Sequence, residues 1–287
     1  MFRRHRPDGA LVTDLSPIRR MIPFIMPTRT ESVVYYEQLL DLTNTLAFLE
    51  GWNRAHPHAP ATVFHLILAA LGRVLEHRSG LNRFVSGGRI YQRHLTEASF
   101  AVKMAFADRA PLKTVKIALR ADEPLDQLVE RLRDAVGESR SGRDSRTDQE
   151  TKLLLRAPAP LLRGLIRVAR WLDAHNLLPA ALIRDDPMFA SIFVANLGSV
   201  GIDRAWHHLY EYGTISLFCV IGAIGPQLFP QADGQVQVRT GVRLRFSFDE
   251  RINDGFYCAS SLELLRRDVE DPALWAPAQL RPEPPAE

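Results

Sequence analysis

The sequence predicts a single large α+β domain in two layers, with a mixed β-sheet and helices on one of its faces. Three observations carry this. From residue 236 to 248 every even position except Thr240 is Val, Leu or Phe, while Gln237, Arg239, Arg243, Arg245, Ser247 and Asp249 take the other side, which is the period of a long half-buried strand. The turn sequence QADGQ just before that strand, and Arg109-Ala110-Pro111 further upstream, mark antiparallel hairpins and exclude a purely parallel sheet. Between these strands lie segments whose apolar residues recur at helical spacing.

In chain order, residues 1–16 are polar, basic and without pattern, and read as an extended arm. Over 36–52, Leu39, Leu40, Leu42, Leu46 and Leu49 suggest a helix; 61–77 does so more strongly, with Thr62 as its cap and Ser79-Gly80 as its stop. Residues 98–107 and 113–119 alternate about the Arg109-Ala110-Pro111 turn and form a hairpin. An amphipathic helix over 125–136 leads into a solvated connector, 137–150. Residues 161–172 form a further helix, with Arg163, Arg167 and Arg170 on one side and Leu161, Leu165, Val168, Trp171 and Leu172 largely elsewhere. Such a stripe suits plain solvent, a membrane surface or an acidic partner. The apolar run 215–224 is about half a membrane span and reads as a buried strand, with 214–224 the antiparallel partner of 236–248. A helix over 256–269 closes the domain, and 273–287 is a Pro-rich tail.

Composition narrows the function classes. The 287 residues are 46% hydrophobic and 24% charged, and 36 basic against 33 acidic residues leave a net charge of +3, too slight to imply nucleic acid. Cys219 and Cys258 fit neither a disulfide framework nor a zinc site, and the N-terminal arginines precede no apolar run of a signal peptide, so a cytoplasmic protein is expected. No GxGxxG or GxxxxGK[ST] loop is present. Leu197-Gly198-Ser199-Val200-Gly201 lacks one glycine of a nucleophile elbow. His56 with His58, and His207 with His208, have no HExxH context, so no metal is expected.

Three stretches in order resemble the catalytic domain of the 2-oxoacid dehydrogenase dihydrolipoamide acyltransferases, relatives of chloramphenicol acetyltransferase. They are Leu81-Asn82 with Gly88-Arg89-Ile90 and Arg93-His94 before Phe100-Ala101-Val102, then FVANLGSVGID over 193–203, and DERINDG over 249–255. The last is similar to the family pattern D-H-R-x-x-D-G and the second to T-[IV]-S-N-L-G-x-x-G. The likeness spans roughly 17–272, with 143–186 as an insertion. It implies the chloramphenicol acetyltransferase-like fold, a homotrimer with active sites between subunits, and acyl-CoA as a co-substrate rather than a resident cofactor. The acceptor would be a small thiol, hydroxyl or amine. By the same resemblance the motif histidine is the general base, and a hydroxyl from a neighbouring chain stabilises the oxyanion.

The sequence departs from that pattern at both chemical positions. Glu250 stands where the family has histidine, and Ala195 where it has the hydroxyl. A carboxylate is a weaker base than imidazole by about 2 pKa units, and loss of one oxyanion donor costs on the order of 10²–10³ in rate. The candidate catalytic residues are therefore Glu250 and Asp254, with His207 or His208 as an alternative base; Asn196, Gly198, Ser199 and Tyr210 are candidate substrate-binding residues. Asp249, Arg251 and Gly255 are expected to shape the loop, and Arg251 is a candidate ion-pair partner for Glu250. Two function classes stay open: an acyltransferase with an altered base, and a catalytically silent trimeric scaffold or ligand-binding module of the same fold.

Overall fold

The computed structural model describes residues 5–103, 112–141 and 154–275. The chain enters through two short strands, β1 (His5–Arg6) and β2 (Gly9–Leu11), and a helix, α1 (Pro17–Ile25), capped by the Ser16 hydroxyl. Strand β3 (Val33–Asp41) leads into α2 (Thr43–Ala55) and then α3 (Val63–His77). Helix α3 starts with a reciprocal capping box, in which Thr62 N–H donates to Nδ1 of His65 at 3.0 Å. A single 3₁₀ turn, Ser79–Leu81, stops it.

Strands β4 (Arg83–Ser86) and β5 (Arg89–Arg93) form a hairpin about Gly87 and Gly88, whose φ values of 56° and 72° suit glycine. They join β1 and β2 in a small sheet of order β1-β2-β5-β4. Strands β6 (Glu97–Lys103) and β7 (Leu112–Ala118) pair antiparallel, and α4 (Leu125–Arg140) follows. Next come α5 (Ala159–Ala174) and α6 (Ala180–Asp185), then β8 (Ile192–Asn196), β9 (Leu217–Ile221), β10 (Gly225–Pro230), β11 (Val236–Asp249) and α7 (Gly255–Glu270).

The large sheet is organised around β11. Its residues 241–249 pair with β3 on one edge, while the other edge is shared by β9, over 244–248, and β10, over 236–241. Beyond β9 lie β8 and β6, both parallel, and then antiparallel β7, so the sheet is mixed. Between Ile221↔Leu244 and Gly225↔Gly241 the β9–β10 edge advances one residue more than β11, a bulge within residues 222–224 that lets one broken strand follow a continuous one.

Alternation sorts the core. Leu217, Cys219, Ile221, Leu244, Phe246 and Phe248 face Leu66, Leu75, Leu132, Leu262 and Leu265 of the helical layer, all buried. The opposite face of β8 and β9 presents Phe193, Phe218 and Val220 to Leu209 and Ile215 of the long 201–216 connection. The fold expected from sequence is therefore present, with helices on one face and loop packing on the other.

Two expectations need correction. Residues 33–41 are strand rather than helix: Leu40 and Leu42 are spaced by two on a buried side, and the helical period belongs to Thr45, Leu49 and Trp52. The N-terminal arm is extended but not free, because Arg6 is buried between Asp8 and Asp173, at 2.7 Å from each, and β2 pairs with β5. The Arg109-Ala110-Pro111 turn, most of the 137–150 connector and most of the Pro-rich tail lie outside the described residues.

Candidate active site

The DERINDG loop follows β11 and is held tightly. Asp249 is fully buried, and its carboxylate takes both Nε (2.8 Å) and Nη2 (2.7 Å) of Arg251, the Arg251 backbone N–H, and the Ser32 hydroxyl. Arg251 is thus spent on Asp249 and on the Met26 carbonyl, not on Glu250. The main chain of Glu250 is pinned on both sides, its N–H to the Ser32 carbonyl and its carbonyl to Nη1 of Arg19, each at 2.9 Å. Its half-buried side chain makes no hydrogen bond or ion pair with any described residue.

Asp254 is the N-cap of α7, accepting from the Tyr257 N–H at 2.7 Å, with Arg19 at 3.7 Å from its other oxygen. Gly255 begins the helix, and Phe256 beside it is 86% exposed. On the same side, α1 leaves Ile18, Met21, Phe24 and Ile25 uncovered. The loop therefore holds its main chain rigidly while the Glu250 carboxylate makes no hydrogen bond or ion pair with a described residue.

The second motif sits at the other end of the sheet. Ala195 and Asn196 end β8, and a 3₁₀ turn, Leu197–Val200, closes behind them, with Asn196 Oδ1 accepting from Ser199 N–H and the Ser199 hydroxyl donating to the Asn196 carbonyl at 2.7 Å. Gly198 has a sharp steric role: a Cβ there would lie 2.1 Å from the Gly222 carbonyl, so the turn can nest against the bulge only as glycine. These residues border a cavity of about 490 Å³, walled by Phe64, Phe100, Val102, Val194, Leu197 and Val200. Lys103 and Arg140 also line it, and no acidic residue stands among its described lining.

His207 and His208 lie on the loop-covered face. The His207 ring stacks on Phe218 at 3.9 Å, the two imidazoles stack at 4.8 Å, and Tyr210 abuts both. Their Nδ1 atoms are within 2.8 and 3.0 Å of the His208 and Leu209 carbonyls, and the Ser247 hydroxyl donates to the His207 carbonyl. Burial pushes the His207 imidazole below its ordinary pKa and the Tyr210 phenol above its own. Among the described residues no three His, Cys, Asp or Glu side chains converge as metal ligands.

Register gives the separations. Asn196 is level with Ile221 and hence with Leu244, so Glu250 lies roughly 20 Å further along the sheet. Ser247, which holds His207, is level with Phe218 and about 10 Å short of Glu250 along the strand. Within one chain the structure unites Asp249, Arg251, Asp254 and Glu250 in one loop, and Ala195, Asn196, Gly198 and Ser199 in another, without joining the two. Sequence reasoning missed the roles of Arg19, Ser32 and Met26 in fixing the Glu250 loop, since contacts more than 200 residues apart in sequence leave no local signal.

No family model matches the sequence, and no curated protein matches it. Solved structures do. A probable dihydrolipoamide acetyltransferase from Listeria monocytogenes shares 16% identity at a TM-score of 0.60, covering 91% of this chain and 95% of that one. The dihydrolipoamide acetyltransferase of Azotobacter vinelandii, which has a serine, a histidine and an asparagine in its catalytic mechanism, gives 16% and 0.60 over 92% and 94%. A truncated catalytic core of the 2-oxoacid dehydrogenase complex from Thermoplasma acidophilum gives 15% and 0.57 over 91% and 98%. The chain therefore has the fold of the dihydrolipoamide acetyltransferase catalytic cores, the chloramphenicol acetyltransferase-like fold.

Proposed function

We propose that the protein is an acyl-CoA-dependent acyltransferase that works as a trimer, with Glu250 of one subunit facing the Ala195–Ser199 cavity of the next. The observation that carries this is the unpaired Glu250 carboxylate on a loop whose every neighbour is fixed. The two guanidinium groups at the loop are engaged elsewhere: that of Arg251 on Asp249, and that of Arg19 on the Glu250 carbonyl and Asp254. The 20 Å between the two motifs in one chain supports a site completed by a second subunit, and the exposed apolar side chains of α1, whose Arg19 holds the Glu250 carbonyl, together with Phe256 offer a surface for that contact.

The cavity suits one half of such a reaction. Its apolar walls match an acyl-pantetheine arm, and Lys103 with Arg140 match phosphate. In the transfer, Glu250 accepts the proton of the acceptor thiol or hydroxyl as that atom attacks the thioester carbonyl. The tetrahedral intermediate then expels coenzyme A, whose sulfur recovers the proton from Glu250, so the carboxylate is regenerated. No covalent acyl-enzyme is needed.

A second reading, a silent scaffold or ligand-binding trimer, draws on two observations: Ala195 offers a methyl where an oxyanion donor is needed, and the Ser199 hydroxyl is committed to the Asn196 carbonyl. Thiol release from acetyl-CoA and longer acyl-CoAs, with dithiol, hydroxyl and amine acceptors, separates the two. The enzyme reading expects acceptor-dependent release that Glu250→Gln lowers by about 10²-fold, within the range for a positioned base; equal release from both proteins, or none, supports the scaffold.

A further inference from the structure

Helix α5 is the one long helix among the described residues with no buried side chain. At 100° per residue its surface divides into three sectors. The inner sector holds Ala169, packed against Leu178, Ile183 and Phe189, and Asp173, which accepts from Arg6 and from the Ser86 hydroxyl; Leu172 packs on the same three residues from the edge of the apolar sector. A second sector exposes Leu161, Leu165, Val168 and Trp171, with Val168 and Trp171 each 56% exposed. The third carries Arg163, Arg167 and Arg170, which make no ion pair with any described residue.

We infer that α5 is a membrane-surface helix, laying its Leu-Val-Trp sector into the interface of an anionic lipid bilayer while the three arginines meet lipid headgroups. Charge decides between occupants. The only acid on the helix, Asp173, is turned inward onto Arg6, so the outward surface is purely cationic and complements an anionic plane. Two copies of this face joined about a two-fold axis would set arginine stripes against each other, which disfavours a two-fold dimer through α5. Apolar residues with a tryptophan, flanked by arginine on one side only, is the arrangement of helices that lie in an interface rather than cross it. No helix among the described residues is long and apolar enough to cross a membrane.

The test is co-sedimentation of the full chain with phosphatidylcholine vesicles, with and without phosphatidylglycerol, together with the emission of Trp171. Binding is expected to rise at least about tenfold with phosphatidylglycerol, to fall with salt, and to blue-shift a tryptophan signal that Trp171→Ser removes. Replacing Arg163, Arg167 and Arg170 by Gln should weaken binding by about 100-fold at unchanged oligomeric state. Because α5 is anchored through Asp173 and Ala169, these outward substitutions spare its docking, and circular dichroism verifies that the fold persists. Equal binding to both vesicle types, binding that survives the triple substitution, or dissociation of the oligomer by Trp171→Ser would overturn the assignment. The last result would place α5 between copies of the chain.

Discussion

Asp249 grips Arg251 through both carboxylate oxygens, at 2.8 and 2.7 Å, and so keeps that guanidinium from the carboxylate of Glu250, the residue between them. Both partners are buried, and Ser32 and the Arg251 N–H complete the carboxylate's hydrogen bonds. Removing one partner strands a charge in a low-dielectric site. Asp249→Asn should therefore cost about 3–5 kcal/mol in urea denaturation, while a cost below 1 kcal/mol would mean that the pair is solvated.

Gly198 offers a steric prediction. Gly198→Ala pushes a methyl into the Gly222 carbonyl, and neither backbone segment can yield without opening the bulge. A loss of about 1–3 kcal/mol is expected from the thermal melt, together with weaker acyl-CoA binding because the turn borders the cavity. Gly164→Ala, with nothing within 4 Å, serves as the control and should be neutral or slightly stabilising.

The sequence carried much of this architecture because its strongest patterns belong to the most deeply buried elements. The even positions of β11 are dry from Val242 to Phe248, and α3 is buried nearly all round, so both can be read from their apolar pattern. The half-buried strand expected is corrected in that Val236 and Val238 are exposed, while Arg245, Ser247 and Asp249 on the polar side are buried under the loops of the other face. Residues 33–41 escaped because a strand and a helix that meet at Leu42 share a leucine-rich run, and β1 and β2 escaped because their polar residues are satisfied by distant partners, Arg6 by Asp173. The site was legible as two motifs, but not that Arg251 would choose Asp249 over Glu250: both carboxylates are within two positions of it, and only the buried geometry decides.

Acid should weaken the fold at one identifiable group. Burial lowers the His65 imidazole to about 4, and its Nδ1 accepts the Thr62 N–H, which a protonated ring cannot do. Since the unfolded chain takes up that proton near the ordinary value of about 6.5, the unfolded state binds more protons between roughly pH 6.5 and 4. Stability is then full above this window and falls through it, by on the order of 2 kcal/mol. Denaturation at several pH values should show a slope that His65→Gln, which keeps an acceptor for the cap, flattens; an unchanged slope would assign it elsewhere.

Both thiols should be silent in the native protein. Burial pushes the Cys258 thiol up to about 12, where the Asp254 carboxylate adds to the rise and Arg19 offsets only a little of it, and burial pushes the Cys219 thiol further still. A disulfide reagent should therefore titrate no sulfur until the chain unfolds, when both react. Rapid native labelling would contradict the packing around β9 and α7.

The most direct measurement is complementation between two inactive chains. One carries Glu250→Gln and the other Ala195→Phe, which fills the cavity; co-expressed with different tags, they are purified as mixed oligomers and assayed for acyl transfer. A site built from the two motifs of neighbouring subunits predicts recovery of about one third of wild-type activity, since every mixed trimer holds one contact of three that pairs two intact halves. Mixed oligomers as inactive as either parent, beside an active wild type, would contradict it.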